Sequence, residues 1–184
     1  MDKPETLQNK VFWDVLLNFC RRGQEGLHDL KSNSYIKCTD DVGNQYYKMA
    51  YNEASKTHHG VDSKENQQET RMYSRPGEQN CPVSSMDLYL GKLNPKCKAF
   101  FQQHMQYPKQ ECCYAAQAMM FRISKNANMS RRYTNHCITA TVATVLQREG
   151  VDFLSIMSVT GHRNVKSLDS YIVTLTGPRI MSVE

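Results

Sequence analysis

The stretch "VTGHRNVKSLDSYI", residues 159–172, decides how this chain is read. Gly161 permits a sharp turn, His162 follows it, and Tyr171 stands nine positions after the histidine. Val165, Leu168 and Ile172 between and beyond them recur at helical spacing, so the tyrosine is expected on an amphipathic segment. By itself a tyrosine among apolar neighbours is ordinary core, and a histidine after a glycine is an ordinary turn residue. The fixed order of the two acquires meaning from what precedes them.

Working upstream, "TNHCITATVATVL" (134–146) puts His136 and Thr139 at i and i+3, positions that share a helix face. Lys56 closes the strand-like "NQYYKMAYNEASK" (44–56), where a lysine at a hairpin tip can reach a groove and protonate a leaving oxygen. "RRGQEG" (21–26) sets Arg22 three residues before Glu25. Such an arginine can fork two N–H groups onto a phosphate, with the carboxylate holding the guanidinium.

The intervening chain supplies the elements. "TLQNKVFWDVLLNFCRR" (6–22) carries an apolar stripe at Val11, Phe12, Val15, Leu16 and Phe19 and reads as a helix stopped by Gly23. Glu25 to Leu30 could open a second short helix. "SYIKCTD", "NQYYKMAYNEASK" and "ETRMYS" read as three antiparallel strands, the first two joined by "DDVGN". "THHGVDSKENQQE" and "RPGEQNCP" are loops. Helices are expected over "VSSMDLYLGKL", capped by Ser84 or Ser85, then "PKCKAFFQQ", "CCYAAQAMMFRISKNAN", "HCITATVATVLQREG" ended by Gly150, "VDFLSIMSVTG" and "VKSLDSYIV". The expectation is a single α+β domain over 1–184, mostly helical, with a small three-stranded antiparallel sheet.

Composition sets bounds. The 184 residues suffice for a sizeable core, and a net charge of +5 permits a nucleic-acid partner without demanding one. No apolar run is long enough to span a membrane. The polar start "MDKPETLQNK" lacks a signal-peptide core. Seven cysteines, an odd number, read as reduced thiols of an intracellular compartment. None lies in a C-x-x-C pair, Cys112 and Cys113 being adjacent, so no zinc site is expected. Cys20, Cys97 and Cys137 read as small buried hydrophobes.

Taken together, R-x-x-E, a hairpin lysine, a helical histidine, Gly-His and a tyrosine nine residues on resemble the catalytic domain of a tyrosine recombinase. "CPVSSMDLYLGKLNPKC" and "RRYTNHCITAT…IMSVTGHRNVKSLDSY" resemble, more closely, the Crypton-derived recombinase-like domain. That domain stands at the C-terminus of MYM-type zinc-finger proteins and of the glutamine-rich protein related to them. The resemblance runs from about Leu7 to Val173.

It implies the tyrosine-recombinase catalytic-domain fold and a reaction in which a tyrosine attacks a scissile phosphodiester without metal or nucleotide. Carried over, Tyr171 is the nucleophile, forming a 3′-phosphotyrosyl link; Arg22 holds the phosphate oxygens with Glu25 in support; Lys56, or Lys48 if the hairpin register differs, is the general acid; and His136 and His162 bond the phosphate. The family pattern H-x-x-R has Thr139 in place of its arginine. A threonine cannot replace a bidentate guanidinium. Loss of one such donor costs roughly 100- to 1000-fold in rate.

The resemblance also implies a nuclear location, double-stranded DNA as partner and a possible homo-oligomer on it. The N-terminal clamp domain of active enzymes is not expected in this chain. Three functions follow as expectations: a DNA-binding, recombinase-like domain weak or inactive in strand transfer, an active recombinase, or a scaffold that keeps only the fold.

Overall fold

The computed structural model describes residues 3–20, 27, 29–50, 70–102, 119–160, 162, 164–166 and 168. Among these the order is α1 (Pro4–Phe19), β1 (Tyr35–Thr39), β2 (Gln45–Met49), β3 (Arg71–Tyr73), α2 (Pro82–Leu90), α3 (Met119–Asn126), α4 (Asn135–Arg148) and α5 (Phe153–Thr160). The α+β class, with five helices and a three-stranded antiparallel sheet among the described residues, is as read from the sequence.

Helix α1 begins earlier than its apolar pattern indicates because Pro4 occupies the first turn, where its missing N–H is no loss. The whole stripe Val11, Phe12, Val15, Leu16 and Phe19 is buried. The helix ends at Cys20, not at Gly23: Cys20 adopts the left-handed conformation at φ 47° and ψ 35°. Its thiol contacts the Leu17 carbonyl at 3.7 Å, and burial pushes its pKa up to about 11.

Strands β1 and β2 pair from Tyr35↔Met49 to Thr39↔Gln45, and β2 pairs with β3 from Tyr46↔Tyr73 to Lys48↔Arg71. The turn between β1 and β2 is held by Asp40. Its Oδ1 accepts the N–H groups of Asn44 (2.7 Å) and Val42 (3.1 Å), and Gly43 takes φ 93°. Strand β2 stops at Met49, short of Lys56.

Tyr47 and Met72 on one sheet face join the core with α1 and α2. The Tyr47 hydroxyl donates to Asp87 Oδ1 at 2.7 Å, and Lys37 pairs with Asp87 Oδ2 at 2.7 Å, so one carboxylate ties two strands to α2.

Two expectations for the centre of the chain are corrected. Helix α2 is not capped by Ser84 or Ser85; Cys81 is the N-cap, Pro82 opens the helix and Ser85 lies buried within it. "PKCKAFFQQ" is not helical through Gln102. Ala99 instead bridges Lys31, with Phe100 N donating to Leu30 O and Ser32 N to Lys98 O. The Gln102 amide fills in for helical bonds, donating to the carbonyls of Cys97 and Ala99 and accepting from Asn94 N.

This irregular segment carries Phe100 and Phe101, both fully buried, into the centre of an aromatic cluster. Phe100 and Phe101 meet edge to face at 4.8 Å, Phe12 meets Phe101 at 5.6 Å, and Tyr35 and Tyr89 meet Phe100 at 5.2 and 5.4 Å. Gln8 of α1 donates to the Gln102 carbonyl at 2.6 Å, and the Tyr89 hydroxyl donates to the Phe100 carbonyl at 2.7 Å, which satisfies backbone at the cluster's rim.

Helices α3 and α4 are terminated by chain geometry. Asn128 (φ 49°) follows α3, with Met129 N donating to Ser124 O and Asn128 N to Lys125 O. Gly150 (φ 77°) follows α4, with Val151 N donating to Leu146 O and Gly150 N to Gln147 O. Both are Schellman endings. Gly150 therefore stops α4 as its position in the sequence indicates. Asp152 then starts α5 by accepting the Ser155 N–H at 2.9 Å. A second small core of Ala143, Ile156 and Leu168, flanked by Leu146, Val151 and Met157, packs α4 on α5.

Candidate functional site

Of the residues carried over from the family pattern, Arg22, Glu25, Lys56 and Tyr171 lie outside the described residues. His136, Thr139, Lys48 and His162 lie within them.

His136 is the second residue of α4 and is exposed. Thr134 precedes it as N-cap, and the Cys137 sulfur accepts the Thr134 N–H at 3.4 Å, a thiol in the place a glutamate takes in a capping box. That explains why Cys137 is only partly buried, where the sequence suggested a buried hydrophobe; Cys20 and Cys97 are buried as read. Thr139 is 2% exposed, against Ile138 and one turn before Ala143. The shared helix face of His136 and Thr139 is therefore a rim: one residue faces solvent and the other the interior.

Lys48 lies in β2 between Ile36 and Arg71, on the sheet face opposite Tyr47. Tyr46 and Tyr73 share that face with their rings 5.2 Å apart, and the Arg71 guanidinium lies 4.7 Å from the Tyr46 ring centroid.

His162 follows the end of α5, and its position is set by a residue the sequence reading passed over. Thr160 is 1% exposed, and its Oγ1 lies 2.6 Å from the Ile156 carbonyl and 2.6 Å from His162 Nδ1. A carbonyl only accepts, so the single hydroxyl proton goes to Ile156 O. Nδ1 must then donate, which fixes the neutral ring as the Nδ1–H tautomer and makes Nε2 its acceptor. A threonine two residues before a histidine at a helix end, able to bond back four residues, is the signal that could have found it. Beyond His162, Leu168 is buried against α4 and α5, and its N–H donates to the Val165 carbonyl at 2.8 Å.

Cys81 was also missed. It is the N-cap residue of α2, and its sulfur lies 3.3 Å from Arg75 N and 3.5 Å from Ser74 Oγ. Burial disfavours its thiolate, yet hydrogen bonds from Ser74, Ser84 and the Arg75 backbone outweigh that and hold the pKa at about 6.

No group of His, Cys, Asp or Glu among the described residues could hold a metal ion, and no helix of the described residues is long and apolar enough to cross a membrane. No family model matches this chain, and no curated protein matches it.

Proposed function

We propose that this chain is a recombinase-like DNA-binding domain of transposon origin, with the tyrosine-recombinase catalytic fold and with strand transfer weakened or lost at Thr139. The observation that carries the reading is the Thr160–His162 pair. The Gly-His motif puts its histidine where a buried hydroxyl orients the ring and makes Nε2 the proton-accepting nitrogen, which can take a proton from an attacking hydroxyl and, once protonated, donate to a phosphate oxygen. The sequence order of Arg22, Lys56, His136, His162 and Tyr171 supports the same reading.

The burial of Thr139 supports weak activity over full activity. A short buried hydroxyl presents no positive charge to a pentacoordinate phosphate, whose stabilisation depends on such charge. In this reading Tyr171 is the nucleophile position, Arg22 with Glu25 the remaining guanidinium clamp, and Lys56 the general acid, with Lys48 the second candidate. The domain acts on double-stranded DNA in the nucleus, as a monomer or as an oligomer assembled on it.

Covalent trapping tests it. The protein is mixed with nicked duplexes of randomised sequence, and adducts are resolved on denaturing gels beside Tyr171→Phe and Thr139→Arg. No adduct, or a trace abolished by Tyr171→Phe, together with duplex binding in the native protein, is the expected result. An abundant adduct would make the chain an active recombinase. Absence of duplex binding would leave the fold-only scaffold.

A further inference from the structure

The charge of this chain is not spread evenly. Residues 112–148 contain Arg122, Lys125, Arg131, Arg132 and Arg148 and not one Asp or Glu. The other 18 basic residues equal the 18 acidic residues in number, so the whole net charge of +5 belongs to this segment.

The structure gathers part of that charge at one place. Arg122 is engaged by Glu5 of α1 at 3.8 Å, and Arg148 lies at the far end of α4, about 20 Å from its start by the rise of a helix. Lys125, Arg131 and Arg132 remain, all exposed and with no acidic partner among the described residues.

They are brought together by Phe121. The Arg132 guanidinium lies 4.8 Å from the Phe121 ring centroid, and Lys125 stands one turn after Phe121 on α3. Arg131 is adjacent to Arg132, and His136 follows in the first turn of α4. Every residue from Lys125 to Arg132 is exposed, and Asn126, Asn128 and Ser130 between the cations add neutral donors.

We propose that this surface at the α3–α4 junction, built on Lys125, Arg131 and Arg132, is the docking site for the phosphate backbone of duplex DNA. The proposal rests on the DNA-binding reading above and says where that binding energy resides. Charge selects the partner. Three cations with no counter-ion among the described residues attract a polyanion, arginines fork onto phosphate oxygens, and Asn and Ser side chains are frequent phosphate donors. Stacking on Phe121 holds the Arg132 guanidinium before the partner arrives, which lowers the ordering cost of binding. A membrane is a poorer fit: α3 turns Met119 and Met120 into the core, and the exposed Phe121 ring is faced by a cation.

The test compares two triple variants that remove equal charge. One carries Lys125→Gln, Arg131→Gln and Arg132→Gln; the other carries Lys92→Gln, Lys96→Gln and Lys98→Gln, three exposed lysines after α2. Binding to a 30-base-pair duplex is measured across a salt series by fluorescence anisotropy. Thermal melting confirms that each variant is folded, and a variant with Arg131→Lys and Arg132→Lys keeps the charge. The first triple is expected to reduce the slope of log affinity against log salt by about 2 to 3 and to lower affinity at least tenfold at moderate salt, while the second changes the slope by less than about 1.

Equal losses from both triples would overturn the docking surface while leaving DNA binding intact. No duplex binding by the native protein would overturn the DNA reading itself and this site with it. So would native binding only to phosphatidylserine vesicles.

Discussion

Thr160 Oγ1 lies 2.6 Å from both the Ile156 carbonyl and His162 Nδ1, so one buried hydroxyl closes the last turn of α5 and sets the tautomer of the histidine beyond it. Thr160→Val keeps the shape and removes both bonds. The neutral His162 ring should then shift toward the Nε2–H tautomer common in water, visible in the ring 15N chemical shifts. The loss of the two hydrogen bonds should cost about 1–3 kcal/mol of stability. Thr160→Ser should restore the native tautomer. An unchanged 15N pattern in the valine variant would show that Thr160 does not orient the ring.

Thr139, which the proposed recombinase reading aligns with a second clamp arginine, is 2% exposed. Thr139→Arg must either bury a guanidinium or push its stem outward past Ile138. Overpacking of this kind costs about 1–3 kcal/mol. In a chain of this size that is a fall of roughly 2–12 °C in melting temperature. If the α4 rim lines a phosphate site, duplex DNA should restore more of that loss in Thr139→Arg than it adds to the native protein, because the new charge gains its partner only in the complex. Melting curves with and without duplex separate the two cases.

How far the sequence could be read depended on whether the deciding interaction was local. The α1 stripe, the Asp40–Asn44 turn and the Gly150 stop were legible because each is set within one short run of chain, about two helical turns at most. "PKCKAFFQQ" misled because its backbone is satisfied by Leu30, Lys31 and Ser32, about 70 residues upstream, and nothing within the segment announces them. The end of α1 misled for a related reason: Gly23 is the obvious breaker, but Cys20 takes the left-handed conformation first, a cost of roughly 1–2 kcal/mol that its surroundings must supply. In the candidate site the histidines were legible as residue types at a spacing. Their support was not, since Thr160 and Cys137 act through bonds that only the folded helix ends create.

Cys81 offers a pH dependence whose sign can be worked out. Its pKa is about 6 in the folded chain against an ordinary 9.0, so folding favours the thiolate. The associated stability is fully present above about pH 9, declines as pH falls and is lost below about pH 6. Urea unfolding at pH 5.5, 7 and 8.5 should therefore show the native protein gaining stability with pH relative to Cys81→Ala. Parallel trends in the two proteins would mean that the thiol is not ionised by its Ser74, Arg75 and Ser84 donors.

The two Schellman endings make a matched pair in which one residue is suited to its conformation and the other is tolerated. Gly150 (φ 77°) ends α4, and a Cβ built there meets nothing within 4 Å, so Gly150→Ala carries only the backbone penalty of the left-handed region, about 1 kcal/mol. Asn128 (φ 49°) ends α3 in the same conformation, where asparagine is the usual second choice. Asn128→Gly should remove a smaller penalty, but glycine also adds freedom to the unfolded chain, so its gain should stay below the loss at Gly150. Melting temperature is expected to fall by roughly 2–4 °C in Gly150→Ala and to change by less than about 2 °C in Asn128→Gly. The Gly150→Ala loss should appear as α4–α5 disorder, because Val151, the residue whose N–H closes that ending on the Leu146 carbonyl, also packs with Leu146 against Ile156 and Leu168. Hydrogen exchange at Val151 and Ile156 reads this directly: faster exchange at both in Gly150→Ala, with the β1–β2 amides unchanged, is the result that ties the helix ending to the packing under His162.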